Sequence, residues 1–147
     1  MDLKKVVITQ NAGETERAGE EFARGLRGGE LVLLRGELGS GKTAFVRGMA
    51  RGLGVDDPEG VSSPSYTLAN EYEGPVRLIH ADLYRIDSAA AIGELALEEM
   101  IGPDAVVVVE WGEKLAPAGL EVIEVDLRAL GEDKREIEFH HRVEDEK

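Results

Sequence analysis

From Glu14 to Arg27 the apolar residues Ala18, Phe22 and Leu26 recur at every fourth position, the spacing of one face of an amphipathic helix. Asn11, with Glu14 three residues on, can cap its start, and Gly28-Gly29 can stop it. Leu31-Val32-Leu33-Leu34 then runs apolar at strand length without polar alternation, as a strand buried on both faces does. A helical period returns from Lys42, with Phe45, Met49 and Leu53 on one face and Gly54 placed to end it. Between Gly54 and Pro75 the chain turns to Gly, Pro, Ser and Asp, which predicts a surface loop with at most a short edge strand. Val76 to Asp82 reads as a strand, Ser88 to Ile101 as a helix rich in Ala and Leu, and Ala105 to Val109 as a buried β-branched strand. Val122 to Val125 and Ile137 to Phe139 add two later strands. Strands alternating with helices predict a three-layer α/β fold: a mainly parallel sheet flanked by helices.

Composition narrows this picture. A chain of 147 residues with 42% hydrophobic content can bury one core, so a single domain over residues 1–142 is expected, followed by a charged tail at 143–147. The formal net charge of -13, from 30 acidic against 17 basic residues, repels phosphate backbones and anionic membranes, which argues against a direct, tight grip on nucleic acid. Cysteine is absent, so disulfide frames and thiol catalysis are excluded. The apolar run near the N-terminus is too short for a signal peptide, and no stretch approaches the ~20 apolar residues that span a bilayer. A cytoplasmic protein is the expectation.

Candidate chemistry concentrates directly after the first buried strand, where Gly36-Glu37-Leu38-Gly39-Ser40-Gly41-Lys42-Thr43 fills the G-x-x-x-x-G-K-[ST] pattern of a phosphate-binding loop, or Walker A motif. Glycines let the backbone turn so that successive N–H groups converge on phosphate oxygens, and the helix beginning near Lys42 adds the positive end of its dipole. Leu38, Gly39, Ser40, Gly41, Lys42, Thr43 and Ala44 are therefore the expected nucleotide-binding residues. Lys42 can bridge the β- and γ-phosphates, and the Thr43 hydroxyl can ligate magnesium. The strand before the loop and the amphipathic helix after it are the context this motif requires, so a P-loop NTPase fold is expected.

Such a site also needs a carboxylate at the C-terminal end of a neighbouring strand. Glu110, after four valines, and Asp82, after Leu78-Ile79-His80-Ala81, both qualify, although a solvated carboxylate closing a strand is the ordinary alternative. Glu110 is expected on the magnesium side, and Asp82 as a second metal-side or water-orienting group. Trp111 reads as packing, His80 as a strand histidine without chemistry, and Tyr84-Arg85 equally as a surface pair or a phosphate contact. Ser63, Ser65 and Thr67 lie where a γ-phosphate sensor could sit. Asp57-Pro58-Glu59-Gly60 matches the D-x-x-G of GTPases superficially, but no N-K-x-D follows, so ATP is expected. Arg135 is a candidate for adenine contact.

Taken together, the glycine loop, Ser63-Pro64-Ser65-Tyr66-Thr67-Leu68, His80-Ala81-Asp82-Leu83-Tyr84-Arg85 and Glu110-Trp111 resemble the TsaE (YjeE) family in order and spacing, over about Asn11 to Phe139. The resemblance implies a compact P-loop ATPase required for threonylcarbamoyladenosine in tRNA, partnered by TsaD and TsaB. In that family the transfer chemistry belongs to TsaD. Carried over by motif, Lys42 and the loop amides hold phosphates, Thr43 and Glu110 hold magnesium, and Asp82 and Trp111 lie near the phosphates. Ser65 stands where the family often has Thr, and Ser40 where Ala is frequent; neither change removes a needed donor. The implied activity is hydrolysis of ATP, weak without partners because no catalytic base is evident. A small-molecule P-loop kinase and a nucleotide-gated interaction module are the competing readings.

Overall fold

The computed structural model describes residues 2–37, 39–61, 69–82, 102–110 and 122–142, with the side chains of 2, 3, 69, 82 and 142 left aside. It begins with a strand that the hydrophobic pattern did not announce, β1 (Asp2–Thr9). Helix α1 (Ala12–Arg24) follows, with the Asn11 side chain accepting from the Glu14 amide at 2.9 Å. The helix stops three residues before the sequence-based boundary. Gly25 closes it, and the Glu30 carboxylate then accepts from the backbone N–H groups of Arg27 (2.9 Å) and Gly28 (2.8 Å), holding them in a turn.

β2 (Leu31–Arg35) and α2 (Lys42–Leu53) flank the glycine loop, with Gly54 in the left-handed region as the C-terminal cap, as expected. A short 3-10 turn (Pro58–Gly60) leads to β3 (Ala69–Tyr72), β4 (Arg77–Asp82), β5 (Ala105–Glu110), β6 (Val122–Ala129) and β7 (Arg135–Arg142). These strands form one sheet in the order β1-β7-β6-β2-β5-β4-β3. The parallel character belongs to the centre, where β2 pairs with β5 and β6, and β4 pairs with β5. Antiparallel strands complete both sides, with β6–β7–β1 at one and β3 at the other. β3 is the short edge strand foreseen inside the polar loop. The helix expected over Ser88 to Ile101 and the charged tail lie outside the described residues.

α1 and α2 pack on one face of the sheet. Their core joins Phe45, Val46, Met49 and Leu53 to Val32, Leu34, Val106, Val108, Val125 and Ile137. All three phenylalanines of the chain meet there: Phe22 of α1 lies 5.8 Å from Phe45 of α2 and 5.2 Å from Phe139 of β7, between ring centroids. Such tilted rings add pairing energy of roughly 0.5–1.5 kcal/mol each to their area burial. The alternate residues Leu31, Leu33, Ile79, Val107 and Val109 are buried as well, so the central strands are apolar on both faces, as their uninterrupted sequences imply.

The two helices touch backbone to backbone. A Cβ on Gly48 would overlap the Glu16 carbonyl, and one on Gly19 would overlap the Phe45 carbonyl. Glycine is needed here for closeness rather than for unusual torsions. Gly48→Ala should therefore force the helices apart and cost about 2 kcal/mol or more in urea unfolding. Gly131→Ala, where no heavy atom lies within 4 Å of the new methyl group, should stay within about 0.5 kcal/mol of the parent. Equal stability of the two variants would refute the close helix contact.

Candidate nucleotide site

The site is assembled where β2 ends. Gly39 (φ 79°) and Gly41 (φ 100°) hold left-handed torsions that a side chain would strain, and between them the chain reverses into α2. The turn is fixed from three directions. Ser40 N–H donates to the Glu37 carbonyl at 3.0 Å, and Arg135 donates to the Gly39 carbonyl at 3.0 Å from the far hairpin. From below, a Cβ on Gly41 would lie 3.4 Å from the Thr15 methyl, while Thr15 is itself held by a buried 2.7 Å hydroxyl contact to Thr9. The start of α2 has no side-chain cap and no acidic residue in its first turn. Its first-turn N–H groups and its dipole are thus directed at the space in front of the loop, a ready anion site.

Lys42 is nearly buried and reaches back under the loop. Its Nζ donates to the Gly36 carbonyl at 2.7 Å and lies 3.2 Å from Glu110 Oε1. The other carboxylate oxygen, Oε2, is 2.6 Å from His80 Nε2. Sheet register accounts for this meeting: Leu34 pairs with Glu110, Asp82 pairs with Glu110, and His80 pairs with Val108, two residues earlier. His80 and Glu110 therefore point to the same face of adjacent parallel strands.

Burial alone would push the Glu110 carboxyl up; the hydrogen bond and charge of His80, together with Lys42, outweigh it and hold the carboxyl below its ordinary value of 4.5. Thr43 and Ala44 are half-buried in the first turn of α2, and Ser40 is buried with an Oγ that has no partner among the described residues. A buried hydroxyl left unpaired costs roughly 1–3 kcal/mol. Beside Ser40 opens a cavity of about 540 Å³ lined by Arg35, Gly36, Glu37, Asp126 and Leu127. Among the described residues no cluster of three or more His, Asp or Glu could by itself enclose a metal ion.

The sequence-derived residues thus converge in part. Gly39, Ser40, Gly41, Lys42, Thr43, Ala44 and Glu110 share one corner, and the backbone of Asp82 lies beside that of Glu110. Leu38, Trp111, Tyr84, Arg85, Ser63, Ser65 and Thr67 fall outside the described residues. His80 is the participant that sequence reading set aside. Its signal was the alternation of β4, which puts His80 on the face of Leu78, combined with a strand pairing that no local pattern reveals. Arg135, considered for adenine, contacts the glycine loop through its guanidinium and also donates to the Gly131 and Lys134 carbonyls.

A family model described as "Threonylcarbamoyl adenosine biosynthesis protein TsaE" matches residues 9–137. The chain belongs to the TsaE family. It is 38% identical over 143 residues to the tRNA threonylcarbamoyladenosine biosynthesis protein TsaE of Aquifex aeolicus, covering 97% of this chain and 100% of that one. The TsaE protein of Treponema pallidum is 37% identical over 131 residues, covering 88% of this chain and 96% of that one. Among solved structures, the crystal structure of Bacillus subtilis YdiB superposes with a TM-score of 0.73 at 30% identity, over 96% of this chain and 87% of the other. The fold is that of a P-loop NTPase, and the family's place is in threonylcarbamoyladenosine biosynthesis for tRNA. Among the described residues no helix is long and apolar enough to cross a membrane.

The depressed Glu110 carboxyl has a measurable consequence for stability. The unfolded chain takes up this proton near pH 4.5 and the folded chain only at lower pH, so the stabilisation is complete above 4.5 and fades as pH falls through the folded value. Urea unfolding of the parent and of Glu110→Gln should therefore show a parent advantage at pH 7 that shrinks below about pH 4.5. A gap independent of pH would contradict the ion-pair geometry.

Proposed function

We propose that this TsaE-family chain binds ATP with magnesium and hydrolyses it in support of tRNA threonylcarbamoyladenosine modification, with TsaD and TsaB as its partners in the cytoplasm. The observation that carries the reading is the uncapped start of α2 behind a left-handed glycine turn, with Lys42 and Glu110 in contact at its base. Ser40 supplies a second support. Its Oγ is buried, unpaired among the described residues, and part of the loop that would face phosphate oxygens.

In this mechanism the amides from Leu38 to Ala44 receive the phosphate oxygens, and Lys42 leaves Glu110 to bridge the β- and γ-phosphates. Thr43 and Glu110 would hold magnesium, with Asp82 on the same side as a second metal-side or water-orienting group. One or two protein oxygens would suit that ion, which as a class is bound through few carboxylates. Magnesium held there would supply positive charge against that building on the transferring phosphoryl group. Catalysis by this chain is chiefly positioning and electrostatics: the loop fixes the phosphates, Lys42 shares their charge, and Glu110 anchors the metal side. Arg85 or a partner's arginine completes the charge; where the partner supplies it, the isolated chain is a slow ATPase.

Lys42→Ala should weaken ATP binding by about tenfold or more, measured by calorimetry; unchanged affinity would remove the loop from the reading. Hydrolysis by the chain alone and with the TsaB–TsaD pair, with Glu110→Ala as control, tests the enzyme. Stimulation by partners that disappears in the variant supports it. ATP binding without hydrolysis in either setting would point to a nucleotide-gated interaction module instead.

A further inference from the structure

We propose that His80 is the positioning residue for Glu110, an assignment that rests on the nucleotide reading above and extends it. The two oxygens of the Glu110 carboxylate are divided between two donors: Lys42 at 3.2 Å from Oε1 and His80 at 2.6 Å from Oε2. Only one of those donors is needed elsewhere. When Lys42 turns to a bound triphosphate, Oε1 is released toward the metal side while Oε2 stays tethered, so the carboxylate would keep its orientation as a ligand for the ion. Both anchors of the tether sit on paired parallel strands, which makes it more rigid than a loop contact would be.

A purely structural histidine accounts poorly for the same facts. His80 is 0% exposed and shares its face with Leu78, Val106 and Val108, where an aliphatic side chain would pack without any polar atom to satisfy. The imidazole instead brings an Nδ1 with no partner among the described residues, while its Nε2 makes a short contact to the Glu110 carboxylate. Among the described residues, the fold leaves Nδ1 without a partner and sets Nε2 on the carboxylate.

The test is the magnesium increment in nucleotide affinity: the ratio of ATP affinity measured by calorimetry with magnesium to that in EDTA. It is compared for the parent, His80→Leu, His80→Gln, Glu110→Gln and the His80→Leu/Glu110→Gln double variant. Affinity in EDTA should stay within about twofold for the His80 variants, because the loop is intact. The increment should fall about tenfold or more in His80→Leu, the range seen when partners of metal ligands are removed. It should recover in His80→Gln, whose amide can donate from nearly the same place, and His80→Leu should add nothing in the Glu110→Gln background. An undiminished increment in His80→Leu, or additive losses in the double variant, would overturn the assignment. Should His80→Leu fail to fold, His80→Gln against the shorter His80→Asn decides: retention by Gln and loss by Asn supports it, and equal behaviour overturns it. A parent that shows no increment at all would overturn the metal-side reading of Glu110, and this assignment with it.

Discussion

The parallel pairing of β2 between β5 and β6 is the constraint on which the rest depends. It buries Leu31 to Leu34 on both faces and leaves the chain only one direction in which to leave the sheet, upward into the glycine loop. The same register puts Leu34 opposite Glu110. A carboxylate and a lysine 68 positions apart, Glu110 and Lys42, thus meet because two strands end level with each other. Ligands collect at the carboxyl ends of such strands for this geometric reason.

The protein is strongly acidic, yet its candidate site is built around cationic and donor groups. The conflict is resolved locally: Lys42 and Glu110 are both nearly out of water, whereas Glu21, Glu37, Asp56, Glu71, Glu73 and Asp104 are exposed. A buried ion pair of this kind adds little net stability, since desolvation offsets much of the attraction, but removing one partner strands the other at a cost of roughly 3–5 kcal/mol. His80 and the Gly36 carbonyl lower that cost by giving each charge a second partner. The arrangement tolerates a change of partners better than an isolated pair would.

Much of this was legible in the chain before any coordinates. β2, the loop, α2, β4 and β5 follow from apolar runs, glycines and one helical period, all of them local signals. β1 escaped because it is an edge strand with Val6 and Ile8 partly exposed, and its partner β7 lies at the other end of the sequence. β6 and β7 proved longer than their apolar cores, because Asp126, Arg128, Glu136 and Glu138 continue the ladder on the open face. The P-loop residues and Glu110 could be named from motif and strand position. The contacts of His80 with Glu110 and of Arg135 with Gly39 could not, since both depend on which strands are neighbours.

The β1–β7 ladder also sets how far the ends of the described chain lie from the glycine loop. Asp2 faces Arg142 at one end of the ladder, and Thr9 faces Arg135 at the other, beside the glycine loop. Both ends of the described chain therefore leave the sheet at one corner, eight paired residues away from the candidate site. The pairing of Asp2 with Arg142 is thus held a full ladder's length, roughly 24 Å at 3.4 Å per residue, from the Arg135 contact that steadies the loop.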